Sequence, residues 1–100
     1  MSSWSERMRA VELKTQIWAF SIPSGSSAFQ LEMPRGAQVV HIGIVKGVPS
    51  ILARVKPDTE TEIRRFALFG TADDIPADVG RYLGTFEDGG YIWHVFEWLE

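Results

Sequence analysis

The stretch Ala37 to Val55, AQVVHIGIVKGVPSILARV, constrains the fold most, because it joins two apolar, β-branched runs through Lys46-Gly47. β-Branched side chains are stiff at χ1 and suit a pleated surface, so each run reads as a strand and the pair as a β-hairpin. In the first run Gln38, Val40, Ile42 and Ile44 alternate with Ala37, Val39, His41, Gly43 and Val45. Both faces are largely apolar. Such a strand belongs inside a sheet with material packed on each side, which makes the first run the expected central strand.

The flanking chain has the same period of two. Between Gln16 and Ile22, Trp18, Phe20 and Ile22 alternate with Ile17, Ala19 and Ser21, and the turn residues Pro23 to Ser27 follow. Ala28 to Met33 places Phe29, Leu31 and Met33 opposite Gln30 and Glu32. Pro34-Arg35-Gly36 then leads into the hairpin, and Pro57 to Glu60 leads out of it to a strand over Thr61 to Phe69. Asp74 as a cap, Pro76 at a first helical position and Gly80 as a stop predict one helical turn over 75–80. Arg81 to Phe86 and Tyr91 to Trp98 flank the hairpin signal Asp88-Gly89-Gly90.

These readings predict a mainly β chain of seven strands. Short connections favour an antiparallel meander that forms a curled sheet or small open barrel. Ser3-Trp4-Ser5-Glu6 has capping-box spacing, and Trp4, Met8 and Val11 form a stripe, which predicts a short N-terminal helix. Residues 1–14 are thus read as an extension and 15–100 as a single β-rich domain, α+β if the helix docks.

At 100 residues the chain is sized for one domain, with a core carried largely by four Trp, two Tyr and six Phe. The lack of cysteine excludes disulfides and Cys-type zinc or iron–sulfur sites, and points to a cytoplasmic location. A net charge of -3 gives no general attraction to nucleic acid. No apolar run approaches the roughly 18 residues of a membrane span, and the N-terminus has no signal-peptide core.

Candidate chemistry is sparse. His41 and His94 suit acid–base or ligand contacts, but two strand histidines without a spaced carboxylate or cysteine equally suit hydrogen-bonded structural roles. Asp73, Asp74 and Asp78 form an acidic cluster without EF-hand spacing, and aspartates in turns commonly bond nearby backbone amides. Arg54, Lys56, Arg64 and Arg65 would form a basic strip if their strands paired across the Pro57 to Glu60 turn, unless Glu60, Glu62 and cross-strand partners neutralise them. No phosphate-loop, dinucleotide or nucleophile-elbow motif is present, and no metal or cofactor is expected. Trp98, close to the end of the sequence, is the aromatic residue best placed to reach a surface.

One resemblance spans Gln16 to Glu97. Ile17-Trp18, Leu31 to Ala37 (LEMPRGA), His41-Ile42-Gly43, Gly70-Thr71, Tyr82 to Phe86 (YLGTF) and Trp93 to Glu97 (WHVFE) occur in order. The chain resembles a family of small uncharacterised bacteriophage and prophage proteins that carry E-M-P-x-G-A, H-V-G, G-T-G-x-x-I-P, Y-x-G-T-F and W-H-V-F-E. It departs from them at Gly70 to Asp74, where a further glycine and often a histidine are expected.

The resemblance implies a phage origin and a non-enzymatic binding protein, with an inhibitor of a host defence complex such as a CRISPR effector as the leading expectation. Asp73, Asp74, Asp78, Glu87 and Asp88 are the expected contacts to a basic partner, with Trp98 as anchor. The alternative is sequestration of a small nucleotide signal by His41, Arg54, Arg64 and His94; a structural or accessory phage protein is a third reading. Open sheet edges make a homodimer the expected assembly.

Overall fold

A computed structural model describes residues 14–23 and 27–99. The N-terminal helix expected around Trp4, Met8 and Val11 lies outside the described residues. The fold is all-β, with seven antiparallel strands: β1 (Gln16–Ser21), β2 (Ala28–Pro34), β3 (Gln38–Val45), β4 (Val48–Val55), β5 (Thr61–Gly70), β6 (Arg81–Asp88) and β7 (Tyr91–Glu97). Among the described residues no helix is long and apolar enough to cross a membrane. The helical turn expected over 75–80 is not formed: the chain makes only a four-residue turn there, with Val79 N–H donating to the Pro76 carbonyl at 3.2 Å.

The strands form two open sheets, ordered β1-β4-β3 and β2-β5-β7-β6, with no closure into a barrel. Only β3–β4 and β6–β7 are hairpins between neighbours in the chain; the other pairings skip elements. The organising hairpin turns at Lys46-Gly47, with φ of 50° and 80°, the paired positive values of a type I′ turn that matches strand twist. Its centre differs from the expectation. β4, with Ile51, Ala53 and Val55 all but fully buried, is the inner strand, and β3 is an edge.

The alternation expected along β3 also breaks. Val39 pairs with Ala53 and His41 with Leu52, so Val40 is an extra residue and the strand is bulged. Val39 and Ile42, three apart, therefore share the inner face. β6 carries a matching bulge, since Tyr82 pairs with Phe96 and Gly84 with Val95, leaving Leu83 as the extra residue.

The core lies between the inner faces, where Ile42, Ile51, Ala53 and Val55 of one sheet meet Phe29, Met33, Phe66, Phe86 and Val95 of the other. Phe29 and Phe66 stack at 5.4 Å between centroids. The sheets approach most closely at the two bulged edges. A Cβ at Gly84 would fall 2.6 Å from Cγ1 and 2.9 Å from Cβ of Ile42, so only glycine permits this contact. A second join is a pair of crossovers, Pro34 to Ala37 from β2 to β3 and Lys56 to Glu60 from β4 to β5. They lie side by side, with Arg35 N–H donating to the Glu60 carbonyl at 2.8 Å.

Gly84→Ala is expected to destabilise the protein by about 1–3 kcal/mol, because branched Ile42 atoms stand in the way and the sheets must part. Urea unfolding followed by tryptophan fluorescence measures this, and an unchanged midpoint would contradict the close approach.

Candidate binding site

Two clefts open beside the crossovers, on either side of the Gly36 to Gln38 segment. The first, of about 470 Å³, lies between the bulges of β3 and β6, bordered by Val39, Val40, Tyr82 and Leu83. Its floor is an ion pair. Arg64 on β5 and Glu97 on β7 share the inner face, and their side chains are only 13% and 5% exposed. Arg64 Nε donates to Glu97 Oε2 at 2.6 Å and Nη2 to Oε1 at 2.9 Å, a bidentate fork. Nη1 donates to the carbonyl of Ala37, which belongs to the segment leading into the other sheet.

These hydrogen bonds to Glu97 push the Arg64 guanidinium above the usual arginine range, against the opposing effect of burial. Arg81, largely exposed, stands at the mouth with Nη2 3.8 Å from Glu97 Oε1. Each of the three guanidinium nitrogens of Arg64 makes a hydrogen bond within the protein, so it serves as a cross-link. Arg81 is the guanidinium that faces solvent.

The second cleft, of about 450 Å³, lies between the crossovers themselves. Arg35 comes from the first crossover, Lys56 and Thr59 from the second, Arg54 from the end of β4 and Thr15 from the approach to β1. Arg54 Nε donates to Thr15 Oγ1 at 3.1 Å. The basic strip expected from paired β4 and β5 is not formed, because these strands belong to different sheets. Arg54 and Lys56 are joined instead by Arg35, while Arg64 is turned inward on Glu97.

The expected ligand quartet of His41, Arg54, Arg64 and His94 is not brought together. His41 pairs with Leu52 on the outward side of the three-stranded sheet, and His94 lies on the outward side of the other. His94 is held by hydroxyls, with Nδ1 2.9 Å from Thr85 Oγ1 and Nε2 2.9 Å from Thr71 Oγ1. Tyr82 OH extends the chain, 2.5 Å from Thr85 Oγ1. Hydroxyls donate or accept, so either neutral tautomer is served. Tyr82 and Thr85, three apart, share a face because of the bulge at Leu83.

The acidic residues divide by role. Asp73 Oδ2 accepts the Gly70 N–H at 2.7 Å and so holds its own turn. Asp74 and Asp78 are exposed in the loop, and Glu87 and Asp88 are exposed near the final hairpin. Among the described residues no group of three or more metal-ligating side chains could hold an ion. Trp98 is half-buried, donates its backbone N–H to the Arg65 carbonyl at 3.0 Å and borders a shallow cleft with Phe29 and Gln30. The residues that sequence reasoning missed are Glu97, Arg81 and Arg35. Glu97 had a signal, since it continues the Trp93, Val95 spacing onto the core face, where a carboxylate needs a cation.

The fold and its clefts define an all-β domain of two open sheets cross-linked by a buried arginine–glutamate pair. The chain belongs to the family described as a domain of unknown function, DUF7352, which matches residues 13–100. No curated protein and no solved structure matches it.

Removing either partner alone leaves a buried charge. Arg64→Met or Glu97→Leu is each expected to cost about 3–5 kcal/mol, and the double variant clearly less than the sum. A double-mutant cycle by urea denaturation checks this; additive losses would show that the two side chains act independently.

Proposed function

We propose that this chain is a non-enzymatic, phage-type binding protein that docks on a host defence complex such as a CRISPR effector in the bacterial cytoplasm. The observation that carries the reading is the outward face of the four-stranded sheet. Phe96 makes edge contacts with Phe69 at 5.7 Å and with Tyr82 at 5.4 Å between centroids, and Ile63, Tyr82 and Ile92 are exposed around them. Aromatic side chains already held in place lose little freedom on docking, which suits them as anchors.

The partner's chemistry is suggested by charge. Glu87 lies on this face opposite Ile92, and Asp74 and Asp78 are exposed in the loop that starts at Thr71, which bonds His94 on the face. An apolar surface rimmed by Lys and Arg is the matching partner. Trp98 supplies a further anchor beside β5, and the edges of β1 and β2, unpaired among the described residues, allow a homodimer. The resemblance to phage proteins supports the defence setting, and the role of an accessory phage protein remains its alternative. Small-ligand sequestration is favoured by a different observation, the basic cleft between the crossovers.

Expressed in a host whose CRISPR effector targets a phage, the protein is expected to restore plaque formation. Ile92→Asp should abolish the effect and weaken binding to the purified effector by about 30-fold or more, while Lys46→Gln leaves both intact. Failure to restore plating against representative effector types, together with no binding to them, would sink the proposal.

A further inference from the structure

The cleft between the crossovers carries more positive charge than the described residues lining it neutralise. Arg35, Arg54 and Lys56 line it without a carboxylate among the lining residues. Arg35 is matched at the rim by Glu60, 3.3 Å away. Among the described residues no carboxylate lies within ion-pair reach of Arg54 or Lys56. Among the described residues, these two cations have no carboxylate partner.

The geometry around Arg54 is organised. Its Nε is engaged by Thr15 Oγ1, which orients the guanidinium plane and leaves the two terminal nitrogens for a pair of acceptor oxygens. Lys56 follows two residues later, on the same side of the chain as β4 ends. We propose that this cleft binds a small phosphomonoester, the phosphate on Arg54 and Lys56 and the organic part beside Val55, Gln38 and Thr59. A phosphomonoester carries about −1.5 to −2 at neutral pH, which matches the combined charge of Arg54 and Lys56. A space of about 450 Å³ exceeds what a phosphate alone fills and lies in the size range of small-molecule sites.

This assignment does not depend on the docking reading, since the cleft lies at the crossover end and uses none of the outward-face aromatics. NMR titration of the full chain at constant ionic strength tests it, with inorganic phosphate, glycerol 3-phosphate and adenosine monophosphate as probes. Saturable shifts are expected at Gly36, Gln38, Arg54, Lys56 and Thr59, with at least one ester binding more tightly than inorganic phosphate. Arg54→Gln and Lys56→Gln, both at exposed positions, should each weaken that binding by about tenfold, whereas Arg81→Gln in the neighbouring cleft leaves it unchanged. Shifts that fail to saturate, or an equal loss in Arg81→Gln, would overturn the site. Inorganic phosphate binding as tightly as both esters would overturn the assignment to an organic ligand.

Discussion

The structure depends on one buried interaction, the fork of Arg64 on Glu97 with its third bond to the Ala37 carbonyl. Two sheets held only by apolar contact can slide, because dispersion and the hydrophobic effect are nearly non-directional. A guanidinium fixed in a plane cannot. It ties β5 to β7 within one sheet and both to the segment entering β3 of the other, so it sets the relative position of the sheets at the end where both clefts open. Burying two charges is costly, and the cost is offset by a hydrogen bond from each of the three guanidinium nitrogens of Arg64.

The second determinant is the pair of bulges that face each other on β3 and β6. Each adds one residue and switches the side-chain phase partway along the strand. On the inside, this places Ile42 against Gly84 and brings the sheets together there, while at Val40 and Leu83 the edges part and the first cleft opens. On the outside, it brings Tyr82 and Thr85 onto one face, where they complete the chain of hydroxyls around His94. The same irregularity thus shapes the cleft on one side and orders the aromatic face on the other.

Much of the local structure was legible. All seven strands follow from apolar alternation and turn residues, and the Lys46-Gly47 and Gly89-Gly90 turns fall where those residues predicted them. Asp73 bonding its own turn is the ordinary behaviour of aspartate in such a loop. The errors concern how strands meet. A doubly apolar run looks the same whether its second face is buried under another layer or left open at an edge, so the alternation along β3 does not reveal that β4 is the inner strand. The basic strip is absent because a short turn need not close a hairpin, and Pro57 to Glu60 carries the chain from one sheet to the other.

What the sequence by itself determined is the set of elements: strands, turns, the absence of thiol chemistry and the supply of aromatics, all of which depend on neighbours a few residues away. Only the tertiary structure decided the partners. Arg64 and Glu97 are far apart in the chain, as are Gly84 and Ile42, and Arg35 reaches the Arg54 and Lys56 cleft only because two crossovers lie side by side. Such contacts form when the two sheets pack, and a single register shift at a bulge changes which side chains they bring together.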